Sequence, residues 1–325
     1  MSRSSSARLA AVVLGVAAAG FTAGASAQAY PTKPVRIIVP FSGGSSDVTA
    51  RALTPKFQEA LKQPFIVENR PGANALIGTE MVAKAPPDGY TLLMILTTHV
   101  ISSSLMKTPF DPIRDFAPVA AVSVSELGMV INNDVPAKNL AEFVAHVKSL
   151  PAPLPYSTTQ LGGNQHLAGE LFTLITGAKM TPVPYKGGGE AVAAAIGGHV
   201  KMYFGSMASL TPLLKGGKLR GIAVTGPKRH PEFPEMQTFT EGGVPNFEIR
   251  LWYGLLAPAG TPREIVNRLA ELALSFVAQP EFKAVLARQG SDPMPLNPQQ
   301  FSEFLRIEQA RYADIIKRAN VKVDP

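Results

Sequence analysis

Residues 35–47 read Val-Arg-Ile-Ile-Val-Pro-Phe-Ser-Gly-Gly-Ser-Ser-Asp, and this stretch decides the fold class. Val35 to Val39 is a β-branched run with one arginine, the composition of a buried strand. Pro40 ends it. Gly43 and Gly44 follow, and Ser45, Ser46 and Asp47 are residues that start helices. A strand that passes through a glycine loop into a helix leaves unpaired backbone N–H groups aimed at one point. The orphan donors and the helix dipole both favour negative charge there. The same residue types also make a plain strand–turn–helix connection, so this loop alone assigns no ligand.

The strand-then-helix pattern recurs outward from it. Runs at Phe65–Glu68, Thr91–Leu96, Phe116–Val122, Gly128–Ile131, Leu154–Ser157, Met180–Val183, Lys201–Phe204, Leu219–Val224 and Leu251–Ala257 read as strands, most of them separated by segments of helical period. Such alternation predicts an α/β chain with parallel sheets and crossover helices. Asn139 with Glu142 and Asn297-Pro298 with Gln300 have the capping-box spacing, and Thr261-Pro262-Arg263-Glu264 has the same order of signals. Pro55 falls inside the helix expected from Asp47 to Leu61 and predicts a kink or break there. Residues 125–249 hold a self-sufficient strand–helix series. The helices after Thr261 lack a sheet of their own and are expected to pack back on the N-terminal one. The expected organisation is therefore one domain from residues 28–124 plus 250–325 and a second from 125–249. The chain would cross near Val122–Glu126 and again near Glu248–Trp252, with Trp252 as hinge packing or, second, a surface for ligand stacking.

The first 27 residues read as a cleavable secretory signal. Arg3 and Arg8 precede an apolar or small run from Leu9 to Phe21, and Ala25-Ser26-Ala27 is a small-x-small cleavage site before Gln28. That run falls short of the roughly 20 apolar residues that span a bilayer. Loss of Arg3 and Arg8 takes the formal charge from +7 to about +5, which suits an acidic small ligand, an anionic surface, or simple solubility. The basic residues are scattered and the Lys215–Arg220 cluster has no aromatic neighbours, so no nucleic-acid footprint is present. There are no cysteines, which excludes disulfides, thiolate catalysis and a lipid on an N-terminal Cys.

Enzymatic motifs are missing. The chain contains no H-E-x-x-H, no G-x-S-x-G and no P-loop, and Val192 stands where a dinucleotide fingerprint after Gly187 would need its last glycine. His166 and Glu170, four apart, make one side of a metal site at most; a capping or core role for His166 is the simpler reading. No catalytic residue, metal or cofactor is expected. What remains are loops at strand C-termini, the edge of an open parallel sheet where ligands bind. They are Phe41 to Asp47, Pro71 to Ala75, Thr158 to His166 and Phe204-Gly205-Ser206, with Lys186 and Gly187-Gly188-Gly189 as a further helix entrance. Each alone also reads as a turn. Together they face one another from two domains as a clamp for a carboxylate.

These residues resemble a known family, the periplasmic solute receptors of tripartite tricarboxylate transporters, or Bug proteins. The resemblance runs through YPTKPVRIIVPF (30–41), GGSSDVTAR (43–51), VENRPGANALIG (67–78), PPDGYTLL (86–93), DPIRDFAPVA (111–120), HLAGELF (166–172), VPYKGG (183–188), KLRGIAVT (218–225) and WYGLLAPAGTP (252–262). It implies a type II periplasmic-binding-protein fold, two α/β domains joined by two crossing segments around a cleft. It also implies a carrier of small organic acids, monomeric and periplasmic, that hands its ligand to a permease of one large and one small integral membrane subunit. Carried over by position, the ligand carboxylate would be held by Phe41, Ser42, Gly43, Gly44 and Asp47, by Asn74 and Ala75, and by Thr158, Thr159, Gly163, Asn164 and His166. Phe41 and Phe204 would wall the ligand body or belong to the core. The first loop is one residue shorter than the family's, and Gln160 and Gly163 stand where Gly and Ser are frequent. Gly205 replaces a frequent Asp, which argues against an amino-acid ligand. A receptor serving a sensory system, and an exported enzyme acting on carboxylic acids, are the alternatives.

Overall fold

The computed structural model describes residues 30–41 and 44–323. The expected leader at residues 1–27, and Ser42 and Gly43 of the first loop, lie outside the described residues. Tyr30 to Thr32 form part of an N-terminal unit and contain a cis Tyr30–Pro31 bond; Lys33 onward is a separate compact unit.

Within that unit the strands form two six-stranded sheets. The first contains β1 (Val35–Val39), β2 (Phe65–Asn69), β3 (Thr91–Leu96), β4 (Phe116–Ser125), β11 (Leu251–Pro258) and β12 (Ser291–Leu296), in the spatial order β12-β4-β11-β3-β1-β2. The second contains β5 (Leu127–Ile131), β6 (Leu154–Thr158), β7 (Met180–Pro184), β8 (Met202–Ser206), β9 (Arg220–Val224) and β10 (Gln237–Thr238), in the order β10-β9-β5-β8-β6-β7. The sheets are mixed rather than wholly parallel. β11 runs antiparallel to β3 and β4, β12 runs antiparallel to β4, and β5 runs antiparallel to β8 and β9.

Those reversed strands position the site. β4 runs with β1 and β3, so it ends at the same edge as they do. One residue, Glu126, separates it from β5. β5 is antiparallel to its neighbours and so begins at the C-terminal edge of β6, β7, β8 and β9. The return passes through Ile249 and Arg250 into β11, which begins at that same edge of the first sheet. The C-terminal edges of the two sheets therefore face each other across two short crossings.

The helices in chain order are α1 (Ser45–Leu61), α2 (Leu76–Ala83), α3 (Thr98–Leu105), α4 (Leu140–Ser149), α5 (Asn164–Thr176), α6 (Gly188–Ile196), α7 (Met207–Lys215), α8 (Arg263–Val277), α9 (Pro280–Arg288) and α10 (Pro298–Ala319). α8 and α10 pack on β4 of the first sheet, as their apolar stripes and lack of a sheet require. α1 is unbroken at Pro55, where a kink or a break is expected, so the break does not occur. Pro55 supplies no N–H to the Arg51 carbonyl, and the Thr54 hydroxyl donates to that oxygen instead at 3.0 Å. The buried stripe Thr49, Ala50, Leu53, Phe57 and Leu61 runs through the proline and holds the helix on the sheet. Thr261 does not cap α8; its hydroxyl donates to the Pro258 carbonyl at 2.7 Å and the helix starts after Pro262.

Trp252 is fully buried against Phe301 and Phe304 of α10, and its Nε1 donates to Glu308 Oε2 at 2.8 Å. It packs the second crossing and has no face for a ligand. Burial raises the Glu308 carboxyl, and the Arg311 guanidinium partly offsets this from 2.6 Å.

Candidate functional site

A helix begins at the facing edge after each of six strands: α1, α2 and α3 in the first lobe, α5, α6 and α7 in the second. In none of the six does a side chain cap the first turn. Of the three helices that start at the opposite edges, after β5, β11 and β12, α8 also lacks a side-chain cap, while the other two are capped. α4 is capped by Asn139, which accepts from the Glu142 N–H at 2.9 Å, and α10 has a full capping box between Asn297 and Gln300. Free backbone donors and the positive ends of helix dipoles are thus concentrated where the two sheets face each other.

The first loop is held at both ends by Asn69, the last residue of β2. Its Nδ2 donates to the Phe41 carbonyl at 2.9 Å and to Asp47 Oδ1 at 2.8 Å. Arg51, one turn along α1, donates to both Asp47 oxygens at 2.9 and 3.0 Å and to Asn69 Oδ1 at 3.0 Å. The hydrogen bond from Arg51, with help from Asn69, holds the Asp47 carboxyl below its usual range. Asp47 is therefore engaged in the loop's own frame, with Oδ1 accepting twice and Oδ2 once. Gly44 has φ 91° and ψ −166°, a region essentially reserved for glycine. An added Cβ would meet no atom within 4 Å, so conformation, not space, requires glycine there. Tyr253, near the start of β11, hydrogen-bonds Ser45 at the first turn of α1. Neither Asn69 nor Tyr253 was singled out from the sequence. Both act through contacts distant in the chain, although the Asp47–Arg51 spacing of four was a readable ion pair.

The second loop takes an unusual path. Gly72, Ala73, Asn74 and Ala75 all have positive φ (130°, 44°, 55° and 73°), and the turn closes with Leu76 N–H donating to the Ala73 carbonyl. Only the first of the four is glycine.

The central loop is organised from within. The Thr158 hydroxyl donates to the Gln160 carbonyl at 3.1 Å. Thr159 donates through its N–H and its hydroxyl to Gln165 Oε1 at 3.0 and 2.7 Å, and Gln165 in turn donates to the Tyr203 hydroxyl at 3.0 Å. His166 is buried, accepts at Nδ1 from the Gly162 N–H at 2.8 Å, and places Nε2 3.4 Å from Glu170. Its two ring nitrogens are thus engaged within the loop and α5, which fits the capping or core role. Asn164 is 6% exposed; its Nδ2 donates to the Arg250 carbonyl at 3.0 Å, while its Oδ1 is buried without a partner. Thr97 of the first lobe donates to the same carbonyl at 3.1 Å, so the second crossing is gripped from both sides.

Three further residues need placing. Phe204 is fully buried and stacks 6.0 Å from Phe247 and 6.3 Å from Phe239, so it is core and not a ligand wall. Gly205 faces Gly128 across the β5–β8 pair, and a Cβ there would lie 2.6 Å from the Tyr203 ring; it is a packing glycine. Ser206 sits half-buried at the start of α7 with its hydroxyl 3.1 Å from that of Ser209, and Lys186 is exposed just ahead of α6. The structure thus gathers Phe41, Gly44, Asn74, Ala75, Thr158, Thr159, Gly163, Asn164, Lys186 and Ser206 on the facing edges. A cavity of about 800 Å³ lies elsewhere, at the far edge of the first sheet among Pro118, Arg263, Glu271 and Gln299. None of the facing loops lines it.

Comparison with known proteins agrees with this architecture. The family model described as "Tripartite tricarboxylate transporter family receptor" matches residues 49–321. Protein BugT of Bordetella pertussis is 36% identical over 322 residues, covering 97% of this chain and 98% of that protein. Among solved structures, an R. palustris protein with adipate superposes with a TM-score of 0.79 at 32% identity, covering 90% of this chain and 99% of the other. MatC from Rhodopseudomonas palustris with bound malate gives 0.75 at 30% identity, covering 88% and 100%. The relatives are solute-binding receptors and not enzymes. On the match to its model and on near full-length identity to BugT, the chain belongs to the tripartite tricarboxylate transporter receptor family, among the Bug proteins.

Proposed function

We propose that this chain is an exported receptor that captures a small organic carboxylate between its two lobes and delivers it to a tripartite membrane transporter. The observation that supports this reading is the set of six helix starts without side-chain caps on the two facing edges, three from each lobe. Backbone N–H groups aimed at one cleft from both sides suit an anion and supply no nucleophile. Each charge-assisted hydrogen bond to a carboxylate contributes on the order of 1.5–3 kcal/mol. The ligand-facing groups are the main-chain amides at Gly44 and Ala75 and the side chain of Asn164. Adipate and malate in two similar structures support aliphatic dicarboxylates as the first candidates to try. Residues 1–27 act as the leader, with cleavage before Gln28. The two lobes, split at Glu126 and Arg250, act as domains that close on the ligand as periplasmic binding proteins do.

A thermal-shift screen of the protein from Gln28 onward tests this reading, using aliphatic dicarboxylates, aromatic acids, amino acids and sugars. A ligand that binds only the folded chain raises its stability by mass action. Stabilisation by dicarboxylates is the expected result. Stabilisation by sugars and by no carboxylate overturns it.

A further inference from the structure

One contact joins the lobes directly over the cleft. Gln160 of the central loop donates from Nε2 to Asn74 Oδ1 of the second loop at 2.8 Å, between residues 86 apart in the chain. Both ends of this bond are built. Asn74, a residue that enters the left-handed region readily, is flanked there by Ala73 and Ala75, which adopt it only at a steric cost. Gln160 is fixed by its own carbonyl, which accepts from the Thr158 hydroxyl and, at 3.4 Å, from the Gly163 N–H. A Cβ at Gly163 would come 3.0 Å from the Gln160 Cγ, so a larger residue at 163 would press on this side chain. On the other side of the same loop, Gly162 sits against Leu105 of the first lobe, where a Cβ would be 2.4 Å from Cδ1. The central loop is thus held to the first lobe at two places, one polar and exposed, one apolar.

A strained backbone segment that presents an amide to a partner on the opposite lobe has no use in the stability of either lobe alone. Resting on the receptor reading above, we propose that Gln160 and Asn74 are positioning residues that clasp the lobes over the bound solute and set its rate of release. The clasp spans the cleft rather than touching the carboxylate, so it lengthens the residence of any solute that fits beneath it. Recognition stays with the backbone amides. Its exposure allows it to break and re-form as the lobes open.

The chain has no cysteine, so Lys84→Cys and Lys148→Cys, both exposed and one on each lobe, accept spin labels cleanly. Inter-label distances are measured on the protein from Gln28 onward without ligand and with adipate, and adipate release is followed by stopped flow. Gln160→Ala and Asn74→Ala are expected to shift the distances toward longer values. Each should also speed adipate release about three- to tenfold, the worth of one hydrogen bond, with little change in association rate. The double variant should match the singles. Asn74→Asp keeps an acceptor for Gln160 and should restore the short distances in the ligand-free protein. Unchanged distances and release rates in both single variants overturn the clasp. Failure of adipate and other carboxylates to bind the wild type would instead remove the receptor reading, while the ligand-free distances still decide the clasp.

Discussion

Asn69→Ala tests whether the first loop is a preformed part of the site. The substitution removes both donations from Nδ2, to the Phe41 carbonyl and to Asp47, and the acceptor used by Arg51. At about 1 kcal/mol net for each, and less where solvent reaches the group, the loss of folding stability should be about 2 kcal/mol. The effect on binding has a different origin. With Asn69 gone, the side-chain link between Phe41 at one end of the loop and Asp47 at the other is lost, and binding must order the loop afresh. Ordering one residue's backbone costs about 1–2 kcal/mol, or about 5- to 30-fold in Kd. Arg51→Ala is the matched control. It also breaks three hydrogen bonds, but the Asn69 link between Phe41 and Asp47 survives. Urea unfolding should show comparable destabilisation of the two variants. Calorimetric titration with the tightest-binding carboxylate should show a weakened Asn69→Ala and an Arg51→Ala within about threefold of wild type. Equal affinities for wild type and Asn69→Ala, or equal losses in both variants, refute the argument.

Three other outcomes follow from the geometry. Gly44→Ala adds a methyl that touches nothing but forces the loop out of φ 91°, ψ −166°, and should weaken carboxylate binding more than tenfold in the same titration; wild-type affinity would show that the loop tolerates another path. Buried His99 donates from Nε2 to the Pro112 carbonyl, its Nδ1 has no partner, and burial holds its pKa down at about 4 against an ordinary 6.5. The unfolded chain then takes up that proton first, so stability should fall by up to about 3 kcal/mol as pH drops from 6.5 to 4, and His99→Leu should lose less than wild type between pH 7 and 4.5 in urea titrations. Lys62 ends α1 in the left-handed conformation at φ 57°, exposed and away from the cleft, so Lys62→Gly should raise stability by about 0.5–1 kcal/mol and leave Kd unchanged.

The strands that flank the cleft were legible because their signal is local. Val35–Val39, interrupted only by Arg36, and Leu92–Leu96 are apolar runs bounded by proline, glycine or polar residues, and the structure places β1 and β3 over them. β12 was not legible: Ser-Asp-Pro-Met-Pro-Leu reads as a turn, and two prolines are tolerated only because it is an edge strand beside β4. The two residues of β10 carry no period at all. At the site, the glycine loops and helix starts could be read directly. The assignment of side chains to the ligand could not, because Asp47 and His166 are engaged by partners that the fold supplies. Phe204 shows the same limit. Its aromatic partners Phe239 and Phe247 lie in a stretch with no strong periodic signal, so nothing local marks it as core.

The place of β11 in the first sheet has a kinetic consequence. It joins β3 to β4, yet it follows the whole second lobe in the chain, and Leu251 pairs with Ser125. Until that strand has left the ribosome, the earlier strands of its sheet form two fragments with no shared neighbour. Contacts of such long sequence separation form slowly. Completion of the first sheet therefore waits on the segment that follows Glu248, and without it β4 lacks the neighbour that ties it to β3.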